Sequence, residues 1–378
     1  MLPLQYALRN LTRRRARTLV TVLGIGLTTL LVIIMTSFAD ELAGAAGETA
    51  RDDVVVLLGT SSEVDLVRSV VPRGAAENAA ASVPGVLTVD GERAASVELH
   101  IATRSGNRVG LFRGVTSAAY LVHPQVTVIE GREPRGPFEL MAGGLVATRM
   151  GLTPEEMDVG RTLELEGRTW TIVGRFAAPG TILEAEMWAR LEDVMLATRR
   201  EDVSCVVVRL ADPSRYDEID LFTAQRLDLE VAAMPERELM GELERGLEPI
   251  VALAHWMAML VLVGAGFACA NTMFAAVIAR GRELATLRAI GYAPWAVGVA
   301  LVQEALLVAF FGAALGLAAA LAVGDLPIRF PMGAFRIELA MPQRALGLAA
   351  ALVAGTLGGV VPAWRAVRMP LVDALGGK

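Results

Sequence analysis

Three histidines and two cysteines are all that this 378-residue chain offers for imidazole or thiol chemistry. His100 and His123 lie far apart and lack the short spacing and cysteine neighbours of a zinc site, so they are expected to be ordinary strand and turn residues. Cys205 sits in an apolar run and is expected to be a small buried residue. Cys269 falls inside a long apolar stretch, where it cannot readily meet Cys205 as a disulfide. No serine occupies a nucleophile elbow, and no glycine-rich loop ends in Gly-Lys-Ser/Thr, so these residues supply no Walker route to ATP hydrolysis. No catalytic, metal or cofactor-binding set follows, and an enzyme is not expected. One acid stands out. Glu304 lies within an apolar run, where a carboxylate needs a protein partner, a cavity or a proton; with Gln303 beside it, a structural hydrogen bond is preferred to a proton relay.

The elements that must carry such residues follow from composition. Hydrophobic residues make up 54% of the chain and charged residues 20%, and mean hydropathy is +0.49. That mixture implies one part in lipid and another in water. The net charge of −6 argues against a nucleic-acid binder. Disorder, a collagen-like fibre and a disulfide scaffold are excluded by the same composition. Charge-poor apolar runs at 18–39, 249–279, 294–324 and 345–364 are each long enough to span a bilayer. The fold class is therefore integral membrane α-helical, four transmembrane helices, with a large α+β extracytoplasmic domain inserted between the first and second. The first run is longer than a signal-peptide core and no clean cleavage site precedes Asp40. Arg9, Arg13, Arg14, Arg15 and Arg17 precede it without an acid, which places both termini in the cytoplasm.

The divisions are an N-terminal cytoplasmic or interfacial helix at 1–17, the outer domain at 40–248, a cytoplasmic segment at 280–293, a short outer loop at 325–344 and a cytoplasmic tail at 365–378. The outer domain is expected to form two lobes. Within it, 53–58 reads as a buried strand, 74–82 as a short helix, and 93–103 with 108–115 as a hairpin. A second hairpin is expected over 161–176, a strand at 204–210, a helix at 213–227 and a final strand at 229–233. Gly312 and Gly316, and Gly355 and Gly359, are small residues four apart that permit close helix contact and mark candidate dimer faces.

The segment between the second and third membrane helices is the most specific passage. Leu284, Leu287 and Ile290 recur along one side of a short helix, opposite Arg282, Glu283 and Thr286, with Gly291 as its stop and Pro294 as a new start. From pattern alone this helix rests on lipid. Residues 282–291, RELATLRAIG, resemble the "RE-x-x-x-LRA-[IL]-G" segment of permease subunits in the MacB and FtsX group of ABC transporters, in the corresponding loop. Other passages agree. Residues 7–11 (ALRNL), 130–132 (EGR), the glycine-framed stretch 160–174, and Pro362, Ala363 and Ala366 with Pro370, Asp373, Ala374 and Leu375 resemble the family's remaining signatures, so the likeness covers nearly the whole chain.

The resemblance implies a permease that docks an ABC ATPase through a coupling helix carrying Arg282, Glu283, Leu284, Leu287, Arg288, Ile290 and Gly291. ATP and Mg would be bound by that ATPase, a separate chain, since no nucleotide-binding domain is fused here as in MacB itself. It further implies a second permease copy, as homodimer or related heterodimer, in the bacterial inner membrane, with a periplasmic adaptor among the partners it allows. In MacB-like members, closure of the dimer is transmitted to the outer domains, a mechanism called mechanotransmission, for export or extraction of a lipophilic cargo such as a lipoprotein, drug or peptide. The alternative is an FtsX-like transmitter that regulates an outer partner such as a cell-wall hydrolase; the size of the insertion favours the MacB type.

Overall fold

A computed structural model describes Leu11, Arg13 and residues 15–60, 65–106, 108–330 and 333–368. The expected interfacial helix at 1–17, the ALRNL passage and the terminal signature from Pro370 onward lie largely outside these residues. The chain divides into two compact units: Met1–Asp40, Pro249–Leu326 and Ile337–Lys378 form one, and Glu41–Glu248 with Pro327–Arg336 the other.

Among the described residues four helices are long and apolar enough to cross a membrane: α1 (Arg15–Thr49), α2 (Glu236–Ala279), α4 (Pro294–Val323) and α5 (Met341–Arg368). A nine-residue helix, α3 (Gly281–Ala289), joins α2 to α4. α1 continues past the apolar run to Thr49, and α2 begins thirteen residues before Pro249, because charge bounds only the part suited to lipid while backbone hydrogen bonding carries on through helix-forming Glu, Leu and Ala. The expected outer loop contains a hairpin, Leu326–Phe330 with Gly333–Ile337. Ala334 in that hairpin packs with Leu145 and Ala185.

The glycine pairs lie where helices of the same chain approach closely. A methyl group on Gly312 would fall 2.6 Å from Cβ of Ile25 on α1, and one on Gly316 would collide with the Gly26 carbonyl. Gly355 and Gly359 on α5 face Ala309 and Ala305 on α4 in the same way. These faces are thus taken up by helix packing within one chain. Pattern alone cannot tell a neighbour in the same chain from one in another.

The second unit is built on a ten-stranded mixed sheet. Its strands are β1 (Val54–Gly59), β2 (Ala95–Ser105), β3 (Arg108–Val115), β4 (Thr127–Gly131), β5 (Glu139–Gly143), β6 (Thr162–Leu165), β7 (Arg168–Ala177), β8 (Glu186–Arg190), β9 (Cys205–Arg209) and β10 (Val231–Pro235). The order is β10-β1-β9-β2-β3-β8-β5-β7-β4, with β6 on β7. All six residues of β1 are buried, as in a strand covered on both faces. Both expected hairpins form: Ser105 pairs with Arg108, and Leu165 with Arg168. β8 runs parallel to β3 and β5 parallel to β7. Strand pairing is unbroken across these ten strands, and two apolar clusters divide the side chains, the smaller around Trp188 and Phe176.

Candidate functional site

α3 starts where the chain leaves α2 at Arg280 and stops where Gly291 takes a φ of +103°, a conformation that a side chain disfavours. Tyr292 N–H donates to the Leu287 carbonyl at 3.1 Å, closing the last turn before Pro294 opens α4. Leu284 and Ala285 are buried, and Leu284 joins Cys269, Met273 and Val277 of α2, Val297, Ala300 and Leu301 of α4, and Ala363 and Ala366 of α5. Leu287 packs against the same cluster, and Arg288 is half-buried.

Ile290 departs from the expected apolar face. It follows the last helical residue, and 72% of its surface is exposed. Successive helical residues turn by about 100°, so Ile290 lies about 120° round from Leu284, and with its backbone still helical and its N–H on the Thr286 carbonyl it points away from the buried edge. The helix therefore has an inner edge of Leu284, Ala285 and Leu287 and an outer edge of Arg282, Thr286, Ala289 and Ile290, all exposed.

Glu304 finds the partner its position demands. Arg280 Nη1 donates to Glu304 Oε2 at 2.8 Å, and Arg280 Nε lies 3.3 Å from Glu283 Oε2. Both Arg280 and Glu304 are buried. One arginine at the start of α3 thus holds an acid of α3 and an acid ten residues into α4, pinning the short helix to the bundle by charge as well as by Leu284. Removing either side of such a buried pair leaves an uncompensated charge. Arg280 was not singled out in the sequence. Its signal was its position at the end of an apolar run, followed by the one acid within the next.

A second cluster lies inside the sheet. Glu98 on β2 is fully buried: its Oε2 accepts from Arg113 Nη1 at 3.0 Å and lies 3.1 Å from His100 Nε2, while its Oε1 lies 3.2 Å from His123 Nε2. Arg113 on β3 also meets Glu186 on β8 at 2.8 and 2.9 Å, and Trp188 Nε1 donates to that carboxylate. The two histidines expected as unrelated strand and turn residues are thus joined through one carboxylate. Tertiary pairing does this: β2 places Glu98 and His100 on one face, and the turn after residues 119–122 returns His123 to them. Burial pushes the Glu98 carboxyl up, but Arg113 and the histidines hold it well below the ordinary carboxylate range. Burial and the Arg113 charge together push His100 down, and burial pushes the Cys205 thiol well up.

Donor atoms of Glu98, His100 and Cys205 lie within 4.8 Å of one another, a spacing that metals use. The chemistry of this set favours hydrogen bonding over coordination. Arg113 already occupies the Glu98 oxygen that faces His100, its permanent charge opposes a cation, and Cys205 is held as a neutral thiol. The cluster is a core ion-pair network that fixes β2, β3 and β8.

A family model for the MacB-like periplasmic core domain matches residues 18–220, and one for the FtsX-like permease C-terminal region matches 256–371. The chain belongs to the MacB/FtsX family of permeases. Its relatives include a macrolide export ATP-binding/permease protein MacB from Marinobacter nauticus, 26% identical, which aligns with 99% of this chain and 60% of its own length. A second MacB, from Bordetella avium, is 28% identical over 35% of the chain and 20% of its own length. The chain thus spans about three-fifths of the MacB relative that it matches throughout. Among solved structures, the periplasmic region of MacB from Actinobacillus actinomycetemcomitans covers 51% of this chain and 92% of its own, at 10% identity and a TM-score of 0.37. The extracellular domain of YknZ from Gram-positive bacteria covers 48% and 99%, at 14% identity and the same TM-score.

The MacB/FtsX-like passages take on physical meaning in the structure. Gly131 of the EGR motif has a φ of +72°, and a side chain there would strike the Val173 carbonyl across the β4–β7 pair, so this position needs glycine on two grounds. Pro362, Ala363 and Ala366 lie along the buried face of α5.

Proposed function

We propose that this permease couples an ABC ATPase to movement of its periplasmic-type domain, with α3 as the element on which the ATPase docks and its outer edge as the contact. The supporting observation is the two-edged build of α3: Leu284 and the Arg280–Glu304 pair fasten it to α4, while Arg282, Thr286 and Ile290 face outward. A large exposed apolar residue beside an exposed arginine is the composition of a protein contact, and fastening on the other side converts a push on α3 into a push on the bundle. ATP and Mg2+ are bound by the ATPase. The complex holds a second permease copy, and its cargo is lipophilic: a lipoprotein, drug or peptide moved outward or drawn from the outer leaflet. The MacB relatives, named for macrolide export, support that class of cargo.

The test is retention of the ATPase on the affinity-purified permease. Arg282→Glu combined with Ile290→Asp should reduce it at least about tenfold, the size expected for losing two contact residues, with membrane insertion unchanged. Leu287 and Glu283 are poorer positions because both are engaged with the bundle. Undiminished co-purification of the double variant would remove the docking assignment.

A further inference from the structure

A cavity of about 540 Å³ opens between the N-terminal part of α1, the end of α2, the start of α3 and the middle of α4. That volume lies in the range of small-molecule sites. Its walls are chemically divided. Arg13, Arg17, Arg280 and Arg282 line it together with the carboxylates Glu283 and Glu304, and both carboxylates are already held by Arg280. The charge of Arg13 and Arg282 is therefore in excess of the acids in the cavity, and among the described residues neither side chain has an ion pair. The hydroxyls of Thr18, Thr21 and Thr272 lie on the same walls, and Met273, Ile278 and Val308 provide an apolar side. Thr21 and Thr272 return their hydroxyl protons to carbonyls one turn back, so their oxygens keep acceptor capacity but offer no spare donor. Hydrogen bonds to an anion must come from the guanidinium groups.

We infer that this cavity binds an anionic phospholipid, with its phosphate between Arg13 and Arg282 and its acyl chains along the apolar side. Three observations combine. The surplus charge is cationic and supplied by guanidinium groups, whose fork matches phosphate oxygens. The cavity lies at one end of α1 and α2, two helices suited to a membrane, where headgroups are found. An apolar wall adjoins the arginines, which a free phosphate would leave unused and a lipid covers. The site borders Arg280, Arg282 and Glu283 of α3, so a bound headgroup would bear on the position of that helix. The inference shares Arg282 with the proposed docking edge, but its readout is lipid retained by the permease without any ATPase, so either assignment can fail while the other stands.

The experiment is native mass spectrometry of the full-length chain released from detergent, titrated with phosphatidylglycerol or with phosphatidylcholine of the same acyl chains. One or two phosphatidylglycerol molecules should be retained in preference to phosphatidylcholine. The Arg13→Gln, Arg282→Gln double variant should lose that preference by about fivefold for each guanidinium removed. Arg365→Gln, Arg368→Gln, which removes two charges from the last turn of α5 outside the cavity, should keep it. Equal retention of the two lipids by the unsubstituted protein would overturn the assignment without reference to any variant. Equal losses in both double variants would reduce it to general attraction of lipid to basic surface. Displacement of phosphatidylglycerol by inorganic phosphate at matching concentration would make the site one for free phosphate and refute the lipid.

Discussion

Arg113 shows how much one side chain can carry. Fully buried, it meets two carboxylates from different strands, and although burial opposes its charge, Glu186 and Glu98 hold its pKa above the usual arginine value. Arg113→Met should cost about 3–5 kcal/mol, because two acids would then be buried with no cation between them. Arg215, whose pair with Glu218 is exposed, should be removable with little change. Denaturant unfolding of the purified chain, followed by hydrogen exchange in β2 and β3, measures both. His100 adds a pH dependence. Its folded pKa lies below the ordinary 6.5, so below that value the unfolded chain takes the proton first. Stability from this residue is complete above pH 6.5 and declines as the pH falls toward the folded pKa, with a slope of up to about 1.4 kcal/mol per pH unit. His100→Gln should flatten that part of the curve, and an unaltered slope between pH 7 and 5 would show that another group titrates there.

Among the elements, the glycine-lined contacts set how closely α4 can approach α1 and α5. Gly312→Val places two methyl groups against Ile25 and should cost about 1–3 kcal/mol through overpacking. Gly264→Ala on α2, where an added methyl meets nothing within 4 Å, should be neutral or gain up to about 1 kcal/mol of helix propensity. Thermal unfolding in a single detergent separates the two, and equal midpoints would deny the close contact. The periodicity of α3 was legible, and so were its stop at Gly291 and the new start at Pro294. The direction of Ile290 was not, since an i, i+6 spacing drifts about 120° round the helix and the width of the covered arc depends on how α4 and α5 pack against α3. β4, β5 and β8 were also missed. β4 is an exposed edge strand with no buried face to pattern it, while β5 and β8 pair in parallel with distant strands and β8 carries Glu186 into the core.

For the molecule as a whole, the arginines before α1 predict that the sheet-bearing unit and α3 face opposite sides of a membrane. A thiol reagent that cannot cross the bilayer should therefore label Ser105→Cys in intact cells and leave Thr286→Cys unlabelled until the membrane is opened. The native thiols interfere little, both being buried. The reverse labelling would invert the orientation and remove the docking site from the reach of ATP.

Local chemistry determined a great deal here. Runs without charge defined four candidate membrane helices, arginines before the first predicted an orientation, alternation gave both hairpins, and the RELATLRAIG segment pointed to the family. Each of those signals is carried by neighbours in sequence, where desolvation and backbone hydrogen bonding act over a few residues. Tertiary structure decided what needs distant partners: Arg280 on Glu304, Glu98 shared by His100, His123 and Arg113, and glycines of α4 against α1. A buried charge or a missing side chain announces that something must lie opposite it. Which group that is depends on how strands and helices far apart in sequence are packed together.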